Sequence, residues 1–479
     1  MPVTQVLDPA LLAHGVGGRT DLPLATPLAV TGALWAVAAS FVAVTVMWPR
    51  PRTGQESGRP LPAGLQRIVD SAPAREGMRL VVLLLSALVV VVAFAGPSST
   101  ALNLAPYAFY ITFWVGLVLF SLLLGPIWRL VNPLRFLHRG LSILLRRDPA
   151  AGTHPLPAQL GWWPATAWLA LFVWLELVPA FRSEPGVVGA FLIAYATVNL
   201  VAAQVYGAGW FDRGDGFEAY STVVATLSPL GRRPDGRLVV RKPLDGAAAL
   251  RDEPGLPALL LVLIGGTAFD GLTRTRIWVE QVPADSIVAG SAGLLGTILL
   301  VAALYRQAIK AVGRTPDEGA LSEAALQGSL ESEGTEAAST GNRVAIPAVL
   351  AETPAAQHLP SWFAPSLVPI AIGYAIAHYF SLFFFEGQQT WILASDPFQT
   401  GADYLGIAAA QVDYTALSTP LIGYIQIGAI VAGHIVGVLI AHDRVVRIFD
   451  EMRARRSQYP LMAVMLLFTG VAVALLVST

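Results

Sequence analysis

The chain has no cysteine, so disulfides, thiolate metal sites and cysteine nucleophiles are all excluded. It is almost without lysine: only Lys242 and Lys310 occur, and the other basic residues are arginine. Charge itself is scarce. Only 13% of the 479 residues are Asp, Glu, Lys or Arg, about half of what a soluble domain carries. Several catalytic signatures are missing as well. There is no G-x-x-x-x-G-K-[ST] phosphate loop, no H-E-x-x-H and no G-x-S-x-G. The glycine-rich G-V-G-G-R at 15–19 has no preceding strand and no Rossmann unit after it. A net charge of −1 supplies no field for nucleic acid.

What is abundant is apolar sequence: 54% of residues are hydrophobic. They fall in continuous blocks of about twenty, the length that crosses a roughly 30 Å hydrocarbon core as a helix. Ten such blocks are read, near 24–48, 78–96, 105–127, 162–181, 186–206, 255–271, 286–307, 363–386, 418–441 and 459–478. Alternating β-barrel patterns are absent. The expected fold class is an all-α, polytopic integral membrane helix bundle of about 10 transmembrane helices. The first block is too long for a signal-peptide core and no basic segment precedes it, so a cleaved leader is not expected.

Of the 31 basic residues, 27 fall in the loops 49–79, 128–161, 207–254, 306–362 and 442–458. The alternate loops and the ends hold only Arg19, Arg182, Arg274 and Arg276. The positive-inside rule puts the first set in the cytoplasm and both termini outside, an N-out/C-out topology. Heavy use of Ala, Gly, Val, Leu and Arg suits a GC-rich bacterial genome, hence a bacterial cytoplasmic (inner) membrane. Residues 315–345 are acidic and poor in apolar side chains, which predicts a mobile cytoplasmic linker. Three regions follow: 1–310 with seven helices, 311–360 as acidic linker, and 361–479 with three helices.

Ionisable groups inside lipid are costly and mark interior or functional positions. His378 is the clearest, with Tyr374 and Ser381 at i−4 and i+3 on one stripe. Glu386 follows toward the outer end of the same helix. Glu176 lies in the outer third of the fourth span. Asp270 closes a sixth span that is short and interrupted by Gly265 and Gly266, a pattern that points to a transporter site. Outside, His14, Asp21, Asp396, Asp403 and Asp413 add carboxylates and imidazole, a donor set that suits a divalent or transition metal ion. The metal ligands proposed from sequence are His14, Asp21 and His378; the ligand or ion path is Glu176, Asp270, His378, Tyr374, Ser381, Glu386 and His434. The ninth span carries His434 on a face lined by Gly437 and Ala441, which can pack closely on a neighbour. Haem shared by His378 and His434 is not expected, because opposite helix directions set His434 roughly 10 Å deeper. His442, Asp443 and Arg444 read as a surface triplet. Tyr195, Asn199 and Tyr206 read as interhelical glue, and 217–230 as an amphipathic helix lying on the membrane.

Four segments carry a family resemblance: LLAHGVGGRTDLPLATPL (11–28), NPLRFL (132–137), GTAFDGLTRT (266–275) and GHIVGVLIAHDR (433–444). Together they resemble actinobacterial multi-pass membrane proteins labelled fenitrothion hydrolase-like. The resemblance implies metal-assisted phosphotriester hydrolysis by an activated water, with His14, Asp21 and the intramembrane cluster as ligands. Three functions therefore stand open. One is a permease or metal-handling protein, with a small solute or metal cation at the His/carboxylate site. Another is a membrane-embedded organophosphate hydrolase. The last is a non-catalytic subunit that anchors a membrane or periplasmic partner. The lipid bilayer is the one partner common to all; nucleic acid is excluded.

Overall fold

The structure is a computed structural model that describes residues 26–54, 57–250, 253–314, 358–449 and 451–477. Among these residues, ten helices are long and apolar enough to cross a membrane, in the places expected from sequence. They are α1 Thr26–Met47, α2 Ala72–Ala95, α3 Leu104–Leu124, α4 Trp163–Leu177, α5 Pro185–Tyr206, α6 Leu256–Thr273, α7 Ile287–Gly313, α8 Val368–Ser395, α9 Thr419–Val445 and α10 Tyr459–Val477. The chain is a multi-pass, all-α membrane protein. The acidic linker expected at 315–345 lies outside the described residues.

Burial sorts the helices. Two thirds (67%) of the apolar windows of α6 and α8 are enclosed by protein, against 11% for α2 and α7. Leu84, Leu85 and Val91 of α2 and Leu295, Leu299 and Leu300 of α7 are exposed, the apolar outer faces that lipid requires. α6 and α8 are thus the central pair. Helices on the two sides of the linker pack together: α1 contacts α9 and α10, and α6 contacts α8 and α10. α8 and α9 pack closely on each other. A Cβ on Gly373 would meet the Ala429 carbonyl at 2.5 Å, and one on Gly433 the Pro369 carbonyl at 2.5 Å. Small residues allow this approach.

Sequence features at Gly265 and Gly266 receive a different explanation. α6 is continuous from Leu256 to Thr273, with no break at the two glycines. A Cβ on Gly265 would lie 2.7 Å from Ile298 Cα, and one on Gly266 2.6 Å from Val173 Cγ1. The glycines admit α7 and α4 rather than unwinding the helix.

The arginine-rich loops gather at one end of the bundle, where a small antiparallel sheet forms from β1 (Arg59–Pro60), β2 (Leu230–Arg232) and β3 (Leu238–Val240), in the order β1-β3-β2. Val240 pairs with both Arg59 and Leu230. The segment expected to lie on the membrane as a helix over 217–230 is helical only in its first part and is buried in protein. It is a helix over Gly216–Val224, followed by a turn at Ala225–Leu227 and then β2. It is buried along most of its length because its polar side chains have partners inside: Glu218 bonds Arg135 and Asn132, and Ser221 bonds Ser121. The triplet His442, Asp443 and Arg444 is also buried rather than superficial. His442 bonds Gln458 and the Trp48 carbonyl, Asp443 accepts from Arg52, Thr53 and Arg447, and Arg444 donates to the Ala247 carbonyl. Tyr195 and Asn199 are glue, bonding Asp215 and the Trp210 indole.

Candidate functional site

The central helices bring Asp270 and His378 face to face. Asp270 stands one turn before the end of α6, and His378 ten residues into α8. Their side chains are only 4% and 6% exposed, and Asp270 Oδ2 is hydrogen-bonded to His378 Nε2. Arg274, four residues after Asp270 and so on the same helical face, sets its Nη2 3.6 Å from Asp270 Oδ2 and 3.1 Å from His378 Nε2. A single ring nitrogen cannot both donate to the carboxylate and accept from the guanidinium. The carboxylate decides: Nε2 carries a proton toward Asp270, and Arg274 pairs with the same carboxylate.

These groups line a cavity of about 60 Å³, room for a few waters or one small ion. Its wall includes Glu176 from α4, Tyr107 and Tyr110 from α3, Tyr379 from α8, and Arg182 from the α4–α5 loop. Tyr379 donates to Glu176 Oε1 at 3.0 Å. Tyr110 donates to the Arg182 carbonyl at 2.9 Å. The α3 wall is wound as a π-helix over Tyr107–Val115, a geometry that recurs at functional sites. Burial lowers the Arg182 guanidinium from its ordinary value, while Asp270 draws it back up; an arginine so placed remains charged. Because Arg182 and Arg274 flank it, the cavity sits at the arginine-poor end.

Of the path proposed from sequence, the structure unites Glu176, Asp270 and His378. Tyr374 adjoins them, whereas Ser381, Glu386 and His434 stand apart. Tyr374 is buried a turn away, its ring stacked 6.3 Å from that of His378, and lines a smaller neighbouring cavity with Gly271 and Arg274. Ser381 is buried but not in the cavity wall. Glu386 is buried and accepts from the Tyr414 hydroxyl at 2.9 Å. His434 is 1% exposed and bonds the Ile430 carbonyl of its own helix through Nδ1. Asp396, Asp403 and Asp413 are engaged by their own loop, accepting from Thr400 and Gly401, from Ser395 and Ala408, and from Thr415. His14 and Asp21 lie outside the described residues.

No three His, Asp or Glu side chains among the described residues are grouped to hold a metal ion. His378 Nε2 is engaged by Asp270, with a guanidinium beside it. Arg182, Arg274, Tyr107, Tyr110 and Tyr379 are the wall residues that sequence reading missed. The arginines served there only as topological markers, although the i, i+4 spacing of Asp270 and Arg274 was a usable signal. No family model, curated protein or solved structure matches this chain.

Proposed function

We propose that this protein is a permease of the bacterial cytoplasmic membrane, with the Glu176–Asp270–Arg274–His378 cavity as its solute site. One observation carries the reading: acids, guanidiniums and an imidazole from α4, α6, α8 and the α4–α5 loop converge on one small cavity between helices. Burying such groups in a bundle is expensive, and their usual roles are solute, ion or proton paths. The arginine-rich end faces the cytoplasm by the positive-inside rule, which leaves the cavity toward the outer surface. Phosphotriester hydrolysis, as implied by the family resemblance, calls for a metal-activated water, and the guanidinium beside His378 does not fit a cation there.

The absence of native cysteine makes the test clean. A single Thr100→Cys, at the cavity wall, should react with a membrane-impermeant thiol reagent from outside, and modification should block solute uptake in proteoliposomes. His378→Ala and Glu176→Gln should each depress uptake by about tenfold or more, the scale of one lost charge-assisted hydrogen bond. If neither variant alters the flux of any solute or ion tried, the polar groups are interhelical glue and the chain is an anchoring subunit.

A further inference from the structure

At the arginine-rich end, far from the cavity, an apolar face stands open. The helix Pro133–Leu144 packs on α2 and α5. Its Leu134, His138 and Ser142, spaced four apart on one face, are buried, and Gln204 of α5 bonds both His138 and Ser142. Phe136, Arg139, Gly140 and Ile143 share the opposite face. Together with Ala72 and Glu76 in the first turns of α2 they line an open groove of about 380 Å³, the size of a small-molecule site. Ile143, Leu144 and Leu145 are 63%, 78% and 48% exposed.

Continuity and charge identify what covers this face. Glu76, Leu80 and Leu84 follow one another at four-residue intervals on α2 and so form one stripe. Leu80 and Leu84 are 41% and 61% exposed on the helix's lipid-facing side, so the groove opens onto hydrocarbon. Because α2 begins at the arginine-rich end, its first turns lie among the head groups of the cytoplasmic leaflet. Over these turns and residues 136–148, Arg75, Arg79, Arg139, Arg146 and Arg147 stand against only Glu76 and Asp148. Glu76 is already claimed: Arg79 and Arg139 reach its Oε1 at 3.0 and 3.1 Å. Arg146 and Arg147 are exposed and follow Ile143 by three and four residues. A basic cluster beside an apolar surface on the cytoplasmic side suits an anionic lipid head group, whereas a neutral lipid would leave the excess charge unmatched.

We infer that this groove binds one anionic phospholipid of the cytoplasmic leaflet, with an acyl chain along Ile143, Leu80 and Leu84 and the phosphate among Arg139, Arg146 and Arg147. The lipid bridges the helix Pro133–Leu144 to α2. The site stands whether or not the outer cavity carries a solute.

The test is native mass spectrometry of the full chain, stripped of lipid in neutral detergent and titrated with phosphatidylglycerol, phosphatidylcholine or glycerol phosphate. One phosphatidylglycerol should bind and outlast phosphatidylcholine on collisional activation, and glycerol phosphate, which has no chains, should not compete. Arg146 takes a left-handed φ of 54°, which glycine adopts without strain. Arg146→Gly combined with Arg147→Gln should therefore leave the fold intact yet weaken phosphatidylglycerol about 25-fold, at about fivefold per surface arginine. A Cβ on Gly140 meets nothing within 4 Å, so Gly140→Leu fills the groove and should displace the lipid too. Its melting temperature in neutral detergent should not fall, since leucine favours a helix over glycine. Phosphatidylcholine held as firmly as phosphatidylglycerol would reduce the lipid to an ordinary neighbour and overturn the inference. Competition by glycerol phosphate, or unchanged binding in either variant, overturns it as well.

Discussion

Two arginine–carboxylate clusters lie at opposite ends of this bundle, and they are built on opposite terms. At the arginine-rich end, Arg135 spends every nitrogen. Its Nε donates to Glu218 Oε2 at 2.9 Å, Nη2 to Glu218 Oε1 at 2.5 Å and to Asp212 at 2.8 Å, and Nη1 to the Ala208 carbonyl at 3.4 Å. Its guanidinium also lies 5.1 Å from the Phe211 ring centre. Asn132 bridges Glu218 to Asp215, and Asp215 caps the Gly216–Val224 helix and accepts from Tyr195. At the other end, Arg274 keeps a buried N–H unspent beside a cavity. Arg135 uses four of its five N–H groups and so ties the loops of its end together; what sets Arg274 apart is that its spare N–H lies beside open space that a guest can enter.

The largest effect should come from breaking the closed network. Arg135→Ala strands Glu218, whose side chain is 1% exposed, and removing one partner of a buried pair costs about 3–5 kcal/mol. Burial pushes the Glu218 carboxyl above its ordinary value, and Arg135 is what pulls it back. Without Arg135 its folded-state pKa rises further above the unfolded one, so the variant gains relative stability as pH falls and Glu218 takes up a proton. Unfolding in mixed micelles at two pH values would show a deficit that shrinks at the lower one. Arg274→Gln should lose less stability than Arg135→Ala yet far more flux; equal losses of stability would erase the distinction between the clusters.

A smaller effect, about 2 kcal/mol for a buried carboxylate losing charged and neutral donors, is expected for Asp443→Asn. Asp443 is 2% exposed and accepts from the Arg52 amide at 2.7 Å, the Thr53 hydroxyl at 2.5 Å and Arg447 at 2.8 Å. It thereby ties the segment after α1 to the end of α9. Micellar unfolding would measure the loss, and proteoliposome uptake should fall only in proportion to folded protein. A flux defect beyond that would move part of the function to the arginine-rich end.

The spans were legible because lipid leaves few options: about twenty apolar residues in a row can only be a helix. Glu176, Asp270 and His378 were legible because an ionisable group in such a run must have a reason to be there. Which helical faces meet was not legible, since partners distant in sequence decide it. His442–Asp443–Arg444 looked superficial because charges at a span's end ordinarily are; Trp48, Arg52, Thr53 and Gln458, supplied by other segments, bury it. Gly265 and Gly266 looked like a break because the sequence does not show Ile298 and Val173 closing on them. The 217–230 segment carries polar residues that read as solvent-facing until Arg135, Asn132 and Ser121 appear opposite them.

The smallest effect belongs to Asp403 and Asp413 in the loop between α8 and α9, which are exposed and accept from hydroxyls and amides close by in the chain. The Ser395 hydroxyl and then the Ala408 amide hold the Asp403 carboxyl below its ordinary value, and the Thr415 hydroxyl and amide do the same for Asp413. A depressed folded-state pKa adds stability that is fully present above the unfolded value, near 3.8, and is lost as pH falls through the folded one. Hydrogen-exchange protection at Ala408 and Thr415 should therefore be intact at about pH 5 and weaken by about pH 2.5. Asp403→Asn and Asp413→Asn should show the weakened protection already at the higher pH, with the global unfolding midpoint unmoved. The reason is local: Asp413 ties down Thr415, and Asp403 ties Ala408 to Ser395 at the very end of α8. A midpoint shift in Asp413→Asn approaching that of Arg135→Ala would mean that the outer loop clamps the bundle, and that the arginine-poor end is not the loosely held one.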